Sequence, residues 1–199
     1  MNNTRSFSDG FPERAELGFD EQASRAFAFL EGMGFQKISV SPTIARFERG
    51  DLAANVFHGR QSYELGFEIE REGKRYSLSE LIRLSDPQEA DLYRNYAATT
   101  PAAVVTGLMQ LKQLVARYAA GPLQGEPPTF LALDRQRREL AEKLALDSEV
   151  SAFKPKADEA FRLGRYGEAA ELYDRIRAGL TPVEAKKADL ARKRASSSS

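Results

Sequence analysis

The chain contains no cysteine and no tryptophan, and it has a single histidine, His58, among its 199 residues. Without cysteine there is no disulfide, thiol nucleophile or thiolate metal site, so packing alone must hold the fold. A zinc site would need mostly carboxylate ligands, because the chain offers only one imidazole. The glycines Gly32 and Gly34 follow a predicted helix, whereas a phosphate-binding loop precedes one. We therefore expect no metal and no cofactor.

The formal net charge of the chain is zero, because 29 Lys and Arg residues balance 29 Asp and Glu residues. A neutral chain has no long-range attraction for nucleic acid or for anionic lipid. No run approaches the roughly twenty apolar residues that span a bilayer, and the first thirty residues lack the pattern of a signal peptide. These absences predict a cytoplasmic protein that binds no membrane and for which nucleic acid is not an expected partner.

The most regular pattern in the sequence lies at 63–70, where apolar residues alternate with polar or small ones. In a β-strand, a period of two places these two sets on opposite faces. The sequence therefore predicts a sheet with one buried face and one exposed, acidic face. The apolar positions are Tyr63, Leu65, Phe67 and Ile69, and the alternating positions are Glu64, Gly66, Glu68 and Glu70.

Short apolar runs separated by turn residues predict further strands around this one. The tight turns between them favour an antiparallel meander over a parallel sheet. The predicted strands lie at 36–40, 43–48, 52–58 and 61–71, with a short edge strand at 74–77.

Asp20, Asp86 and Thr100 are each expected to cap the start of a helix. The helix after Thr100 carries a broad apolar stripe, so it can cover the buried face of the sheet together with the helix after Asp20. The predicted fold class is α+β, with an antiparallel sheet of four or five strands and helices on one face, followed by an all-α helical tail.

Composition divides the chain into five segments. Within the tail, the spacing of apolar residues predicts separate helices at 129–146, 156–163, 166–178 and 182–195, the last with a capping box at Thr181. The segments are a disordered lead at 1–18, an α+β domain at 19–120, a Pro/Gly hinge at 121–128, the helical tail at 129–195 and a disordered end at 196–199.

One part of the tail, at about 157–182, resembles a single tetratricopeptide repeat. Small and aromatic residues fall at the spacing of that family, namely Ala157, Gly164, Tyr166, Ala169 and Tyr173. The resemblance implies a helical hairpin with a peptide-binding role in which Tyr166 and Tyr173 face the groove. A plain amphipathic hairpin that packs on the 129–146 helix is the alternative.

An exposed acidic sheet face favours a non-catalytic protein-binding module. We expect Glu64, Glu68 and Glu70 to attract the partner, and exposed aromatic side chains to anchor it. The outline of a small, cysteine-free domain with an acidic sheet surface resembles bacterial immunity and antitoxin proteins, which implies an adaptor or neutralising role. The expected aromatic anchors of this domain are Tyr76, Tyr93 and Tyr96.

Two other functions stay open on the sequence alone. One is a scaffold or assembly subunit that docks through the tetratricopeptide-like tail. The other is a hydrolase in which His58 acts as general base, Glu64 orients it and Arg60 binds an anion such as a phosphate ester. The plainer interpretation is a strand-end histidine, with glutamates that pair with Arg46 and Arg49 across the sheet.

Overall fold

The computed structural model describes residues 12–197, and its architecture is α+β, as predicted. The chain divides into two compact units, Met1–Asp134 and Arg135–Ser199. An antiparallel sheet with its helices forms the first unit, and helices alone form the second. Residues 1–11, which make up most of the predicted disordered lead, lie outside the described residues.

Five strands form the predicted meander, each antiparallel to the next along the chain. Two-residue turns close the second and fourth hairpins, where Gly50 (φ 59°) and Gly73 (φ 75°) adopt the left-handed conformation that such turns require. A short sixth strand, which the sequence did not predict, pairs with the start of β4. The strands are β1 Gln36–Ser41, β2 Ile44–Arg49, β3 Leu52–His58, β4 Glu64–Arg71, β5 Lys74–Ser77 and β6 Tyr96–Ala97.

Seven helices of the described chain lie wholly within the first unit. Two of the predicted caps are confirmed, since Asp86 Oδ1 accepts a hydrogen bond from Glu89 N at 2.9 Å and Thr100 Oγ1 accepts one from Ala103 N at 3.2 Å. The helices are α1 Pro12–Ala15, α2 Phe19–Ala26, α3 Phe29–Gly32, α4 Leu78–Ser85, α5 Pro87–Leu92, α6 Pro101–Tyr118 and α7 Ala120–Gln124.

The predicted cap at Asp20 is wrong. Helix α2 begins two residues earlier than this cap predicts, at Phe19, and its N-cap is Gly18, with φ of 64°. Phe19 is fully buried. Burial of this ring in the core therefore fixes the start of the helix, and the acidic side chain of Asp20 falls in the first turn, where it interacts favourably with the helix dipole.

The predicted alternation along β4 is confirmed. Leu65, Phe67 and Ile69 are at most 1% exposed, and they lie on the face of the sheet that helices α2, α4 and α6 cover. Tyr63 precedes the strand, with a φ of 57°, and packs on the edge of the same core. The sheet thus has a buried inner face and a partly exposed outer face, as the period of two predicts.

The end of the predicted disordered lead is ordered. Helix α1 places Arg14 at 2% exposure, and Leu17 is 8% exposed. The guanidinium of Arg14 donates to Gly59 O at 2.6 Å and also to the carbonyl of Arg60. These charge-assisted bonds fasten the segment to the loop between β3 and β4, a long-range contact that composition does not reveal.

The predicted hinge at 121–128 is largely helical. It holds α7 and the start of a long helix, α8 Pro127–Arg162, separated by Gly125 with φ of 81°. Phe130 and Leu133 are buried in the core of the first unit, which therefore extends past the predicted hinge. Between residues 12 and 197, none of the helices, α8 included, has both the length and the apolarity that a membrane span requires.

A break between helices at 147–155 was expected, but α8 continues through it and contains Pro155. A proline inside a helix removes one backbone hydrogen bond and costs roughly 3 kcal/mol. Phe153 packs against the core of the second unit just before this proline, and Ala157 is buried just after it. We attribute the continuity to this packing, which offsets the local cost.

The second unit is formed by the later part of α8, by α9 Tyr166–Arg175, a 3₁₀ helix Arg177–Gly179 and α10 Pro182–Ser196. Alanines surround Tyr173 and Ile176 in its core, so the helices approach one another closely. The predicted capping box is confirmed, because Thr181 N donates to Glu184 Oε2 at 2.8 Å and Glu184 N donates to Thr181 Oγ1 at 3.4 Å. Ser196 ends α10, and residues 198–199 of the predicted disordered end lie outside the described residues.

Strand β1 lies at one edge of the sheet, and within residues 12–197 it pairs with β2 alone. Its first five residues are exposed. The pairing shifts register between Lys37 and Ser39, so a bulge interrupts the strand beside a lysine. A bulge and an edge lysine are two features that oppose further strand pairing.

Candidate functional site

The outer face of the sheet, opposite the helices, carries the predicted glutamates. Three rows of side chains cross it from strand to strand. They are Ile44–Phe57–Gly66, Arg46–Asn55–Glu68–Ser77 and Glu48–Ala53–Glu70–Arg75.

Arg46 lies in the middle row and binds three neighbours. Its Nε donates to Glu48 Oε1 at 2.6 Å, while its Nη1 donates to Asn55 Oδ1 at 3.2 Å and to Glu70 Oε2 at 3.3 Å. The hydrogen bond from Arg46 holds the pKa of Glu70 below its usual value, and the bond to Glu48 raises the pKa of Arg46. Asn55 is 1% exposed, so its amide depends on these protein partners.

Arg75 extends the same network. Its Nε donates to Glu70 Oε2 at 3.1 Å, its Nη1 lies 3.5 Å from Glu68 Oε1, and Glu68 also accepts from Asn55 Nδ2 at 3.1 Å. The side chains of Glu68 and Glu70 are only 22% and 21% exposed. These two glutamates are therefore ordered by cations beside them. The expected pairing with Arg46 is confirmed for Glu70, and the face is less exposed and less acidic than the alternation alone predicts. We call this set the Arg46 network.

Arg49 does not join this network, although pairing with the glutamates was an open expectation for it. Its two terminal nitrogens donate to Met33 O and to Leu123 O, each at 2.6 Å, and its guanidinium lies 4.7 Å from the ring centre of Phe35. Because Arg49 ends β2 on the side of the helices, it ties α3 and α7 to the sheet.

Glu64 differs from the other two glutamates. Within the described part of the chain, neither a hydrogen bond nor an ion pair reaches its carboxylate. With Phe57, Tyr93 and Asn95 it lines a cavity of about 260 Å³, which we call the Glu64 pocket. Tyr93 Oη donates to Asn95 Oδ1 at 2.8 Å, and burial, together with the charge of Glu64, raises the pKa of Tyr93 to about 12.

One wall of the Glu64 pocket depends on a glycine. A Cβ atom at position 66 would lie less than 3 Å from three ring atoms of Phe57. Only glycine therefore lets the Phe57 ring lie across β4 beside Glu64. Phe57 is half-buried, so its ring contributes an apolar surface that remains accessible at the pocket.

Two of the tyrosines that were expected to bind a partner are interior residues. The expectation that Tyr76 is exposed is wrong, and Tyr173, which the resemblance places at a groove, lies in the core of the second unit. Tyr76 is 2% exposed and Tyr173 is fully buried. Tyr76 Oη donates to Asp134 Oδ1 at 2.9 Å, and Tyr173 Oη donates to Asp158 Oδ1 at 2.5 Å. Their hydroxyl groups bind carboxylates that are partly exposed, and their rings fill the two cores.

The other three of the five predicted tyrosines are accessible to different degrees. Tyr96 is 37% exposed and packs beside Gly107, where a Cβ would lie 2.5 Å from its ring. Tyr93 is half-buried at the Glu64 pocket. Tyr166, in the second unit, is half-buried and accepts a hydrogen bond from Arg194 Nη1 at 2.7 Å.

His58 lies inside the first unit, at 1% exposure. Its Nε2 donates to Ala98 O at 2.8 Å, so Nδ1 is free to accept from Arg14 Nη1 at 3.3 Å. Its ring stacks on Phe19 with centroids 5.6 Å apart. Burial lowers the pKa of His58, and the nearby charge of Arg14 acts in the same direction against the opposing bond to Ala98.

The predicted catalytic grouping of His58, Arg60 and Glu64 is not formed. His58 is paired with Leu65 and faces the core, whereas Glu64 lies on the outer face. The cation that contacts the imidazole is Arg14. The plainer interpretation of His58, a histidine at the end of a strand, matches this environment.

Three residues of these sites were not predicted from the sequence. Arg14 falls in the predicted lead, Asn55 interrupts the apolar run 52–57, and Phe57 lies on the outer face of β3. Asn55 was the one local signal, because a buried strand asparagine requires partners. The role of Phe57 depends on cross-strand register, and the role of Arg14 depends on its long-range contacts with Gly59 and Arg60.

Among residues 12–197, no three His, Asp or Glu side chains are arranged to hold a metal ion. Comparison of the chain with protein-family models, with curated proteins and with solved structures found no match.

Proposed function

We propose that the chain is a non-catalytic protein-binding module that contacts its partner through the outer face of the sheet. The observation that carries this proposal is the Arg46 network, in which charged side chains are ordered before any partner binds. Ordering a long side chain at an interface otherwise costs about 0.5–1.5 kcal/mol. A surface that is already ordered avoids most of this cost.

The apolar row beside the network supports the same proposal. Ile44 is 37% exposed and stands opposite Phe57 across the β2–β3 pair. An apolar centre flanked by polar groups is the usual composition of a protein interface. The first unit also holds 14 basic and 18 acidic residues, a formal charge of −4, which favours a basic partner.

A role of immunity or antitoxin type, in which the bound partner is an enzyme, fits this proposal. The second candidate is a scaffold subunit that docks through the helical tail, with or without the peptide-binding role of a tetratricopeptide repeat. Its support is the separate alanine-rich core around Tyr173, which gives the tail a compact unit of its own.

Affinity capture from the native cell, with the full chain as bait, tests the proposal. The variant Ile44→Lys places a cation in the apolar row, and it should reduce capture at least about tenfold, because like charges opposed across an interface cost several kcal/mol. Val183→Lys is the matched control, since Val183 is also β-branched and is 78% exposed at the start of α10.

Both substitutions lie at exposed positions, so each should change the free energy of unfolding by no more than about 0.5 kcal/mol. Loss of capture with Val183→Lys alone would favour the scaffold candidate. Full capture by both variants would contradict binding through the outer face.

A further inference from the structure

We infer that the Glu64 pocket receives a lysine side chain of the bound protein, with its ammonium group against the Glu64 carboxylate. The inference deepens the proposed function and rests on it, because the lysine belongs to the partner. It assigns a specific contact to one end of the outer face, next to the apolar row of Ile44 and Phe57.

The first argument is charge. On the same strand, Glu68 and Glu70 are both compensated by arginines, whereas no side chain among residues 12–197 compensates Glu64. The residue is nevertheless half-buried, in a pocket whose lining combines the rings of Phe57 and Tyr93 with polar side chains. A carboxylate that is partly withdrawn from water gains more from an incoming cation than an exposed one does.

The second argument is the chemistry of the walls. Phe57 and Tyr93 present aromatic rings, which attract a cation by about 0.5–2 kcal/mol. Tyr93 stays neutral at physiological pH, since its pKa is raised to about 12, so the pocket holds one anion and not two. The hydroxyl group of Ser79, which also lines the pocket, can accept a hydrogen bond from the cation, whereas the hydroxyl of Ser77 is already bonded to Glu80 Oε2 at 2.9 Å.

The third argument is that the arginine in the pocket lining, Arg94, is bonded elsewhere. Arg94 lines the pocket as well, but its Nη1 donates to Asp91 O at 2.9 Å and to Tyr93 O at 2.6 Å. Backbone carbonyls therefore hold this guanidinium, and it does not neutralise Glu64.

Size and geometry select the ligand. At about 260 Å³ the pocket is below the roughly 300–1,000 Å³ that small-molecule sites occupy, so it suits the end of one side chain. A planar guanidinium binds best to a carboxylate in bidentate fashion, whereas an ammonium donates in three directions. One carboxylate, with the separate hydroxyl group of Ser79 in the lining of the pocket, matches the ammonium better.

The test uses the full chain, labelled with ¹⁵N, and titration with the peptide acetyl-Gly-Lys-Gly-amide. In NMR spectra, saturable chemical-shift changes are expected at the backbone amides of Gly66 and Asn95. Acetylation of the lysine Nζ should weaken binding at least tenfold, and so should Glu64→Gln. Glu31→Gln, which alters an exposed glutamate of α3, should leave binding unchanged. Replacement of lysine by arginine in the peptide should weaken binding.

Equal binding of the acetylated peptide, equal binding by Glu64→Gln, or tighter binding of the arginine peptide would overturn the inference, and so would the absence of any shift at Gly66. The result is separable from the capture experiment. If the peptide does not bind while Ile44→Lys abolishes capture, the lysine contact fails and the proposed function stands. If the peptide binds through Glu64 while Ile44→Lys retains capture, the pocket stands without the proposed interface.

Discussion

Replacement of Arg14 by methionine should destabilise the first unit strongly, although Arg14 comes before any element that the sequence predicted. Arg14→Met removes the donors to Gly59 O and Arg60 O and keeps an apolar stem over the Tyr63 ring, to which the guanidinium carbon now lies at 3.6 Å. Each charge-assisted bond contributes about 1.5–3 kcal/mol, and relief from burying the charge offsets part of the loss. The expected loss is about 3 kcal/mol.

Native-state hydrogen exchange measures this loss in each unit separately. A loss of about 3 kcal/mol accelerates exchange through global opening roughly 100-fold or more. The amide of Phe67 in β4 should show this acceleration, whereas the amide of Tyr173 in the second unit should not. The loss should also appear as a lower unfolding midpoint in urea.

Arg25→Met is the matched control. Arg25 pairs with Glu21 at 2.8 Å on the surface of α2, but its side chain is 71% exposed, and such pairs contribute at most about 0.5 kcal/mol. If Arg14→Met cost no more than Arg25→Met, the assignment of Arg14 to the interior would be refuted.

Two further predictions concern titration and the second core. Burial lowers the pKa of His58, so the neutral imidazole stabilises the fold above about pH 6.5. This stabilisation is lost as the pH falls below that value, and the free energy of unfolding then changes by at most about 1.4 kcal/mol per pH unit. Urea unfolding between pH 7 and pH 5 should therefore be less pH-dependent for His58→Gln, and an unchanged dependence would count against a buried neutral imidazole. Tyr173→Phe removes the hydroxyl that donates to Asp158, a carboxylate that also binds Lys187 Nζ at 2.5 Å. The substitution should lower the free energy of unfolding of the second unit by about 1.5–3 kcal/mol, which hydrogen exchange of the amides in α9 measures. Normal protection of those amides in Tyr173→Phe would be inconsistent with this bond.

The parts of the fold that the sequence predicted are those whose signals are local. Alternation at 64–70 needs only a period of two, and the caps at Asp86 and Thr100 need only the next three residues. These signals were sufficient for five of the six strands and favoured an antiparallel meander, whereas the order of the strands stayed open until the pairing was known. The start of α2 followed instead from burial of Phe19, which no cap rule anticipates.

Positions that depend on register or on distant contacts were not predictable. Tyr76 is buried because it pairs with Ile69 on the inner face, a fact that the alignment of β4 with β5 decides. The bond between Arg46 and Glu70 likewise needs two aligned strand pairs. Pro155 predicts a helix end by itself, yet packing on both sides of it keeps α8 continuous.

The bulge in β1 has a consequence for the behaviour of the protein at high concentration. An open strand edge is the template on which identical molecules stack into fibrils, and stacking requires an uninterrupted ladder. The shift in pairing at Lys37 and Ser39 breaks that ladder, and the ammonium of Lys37 would have to be stripped of water in every layer. The edge of the sheet at β1 therefore resists stacking of identical chains.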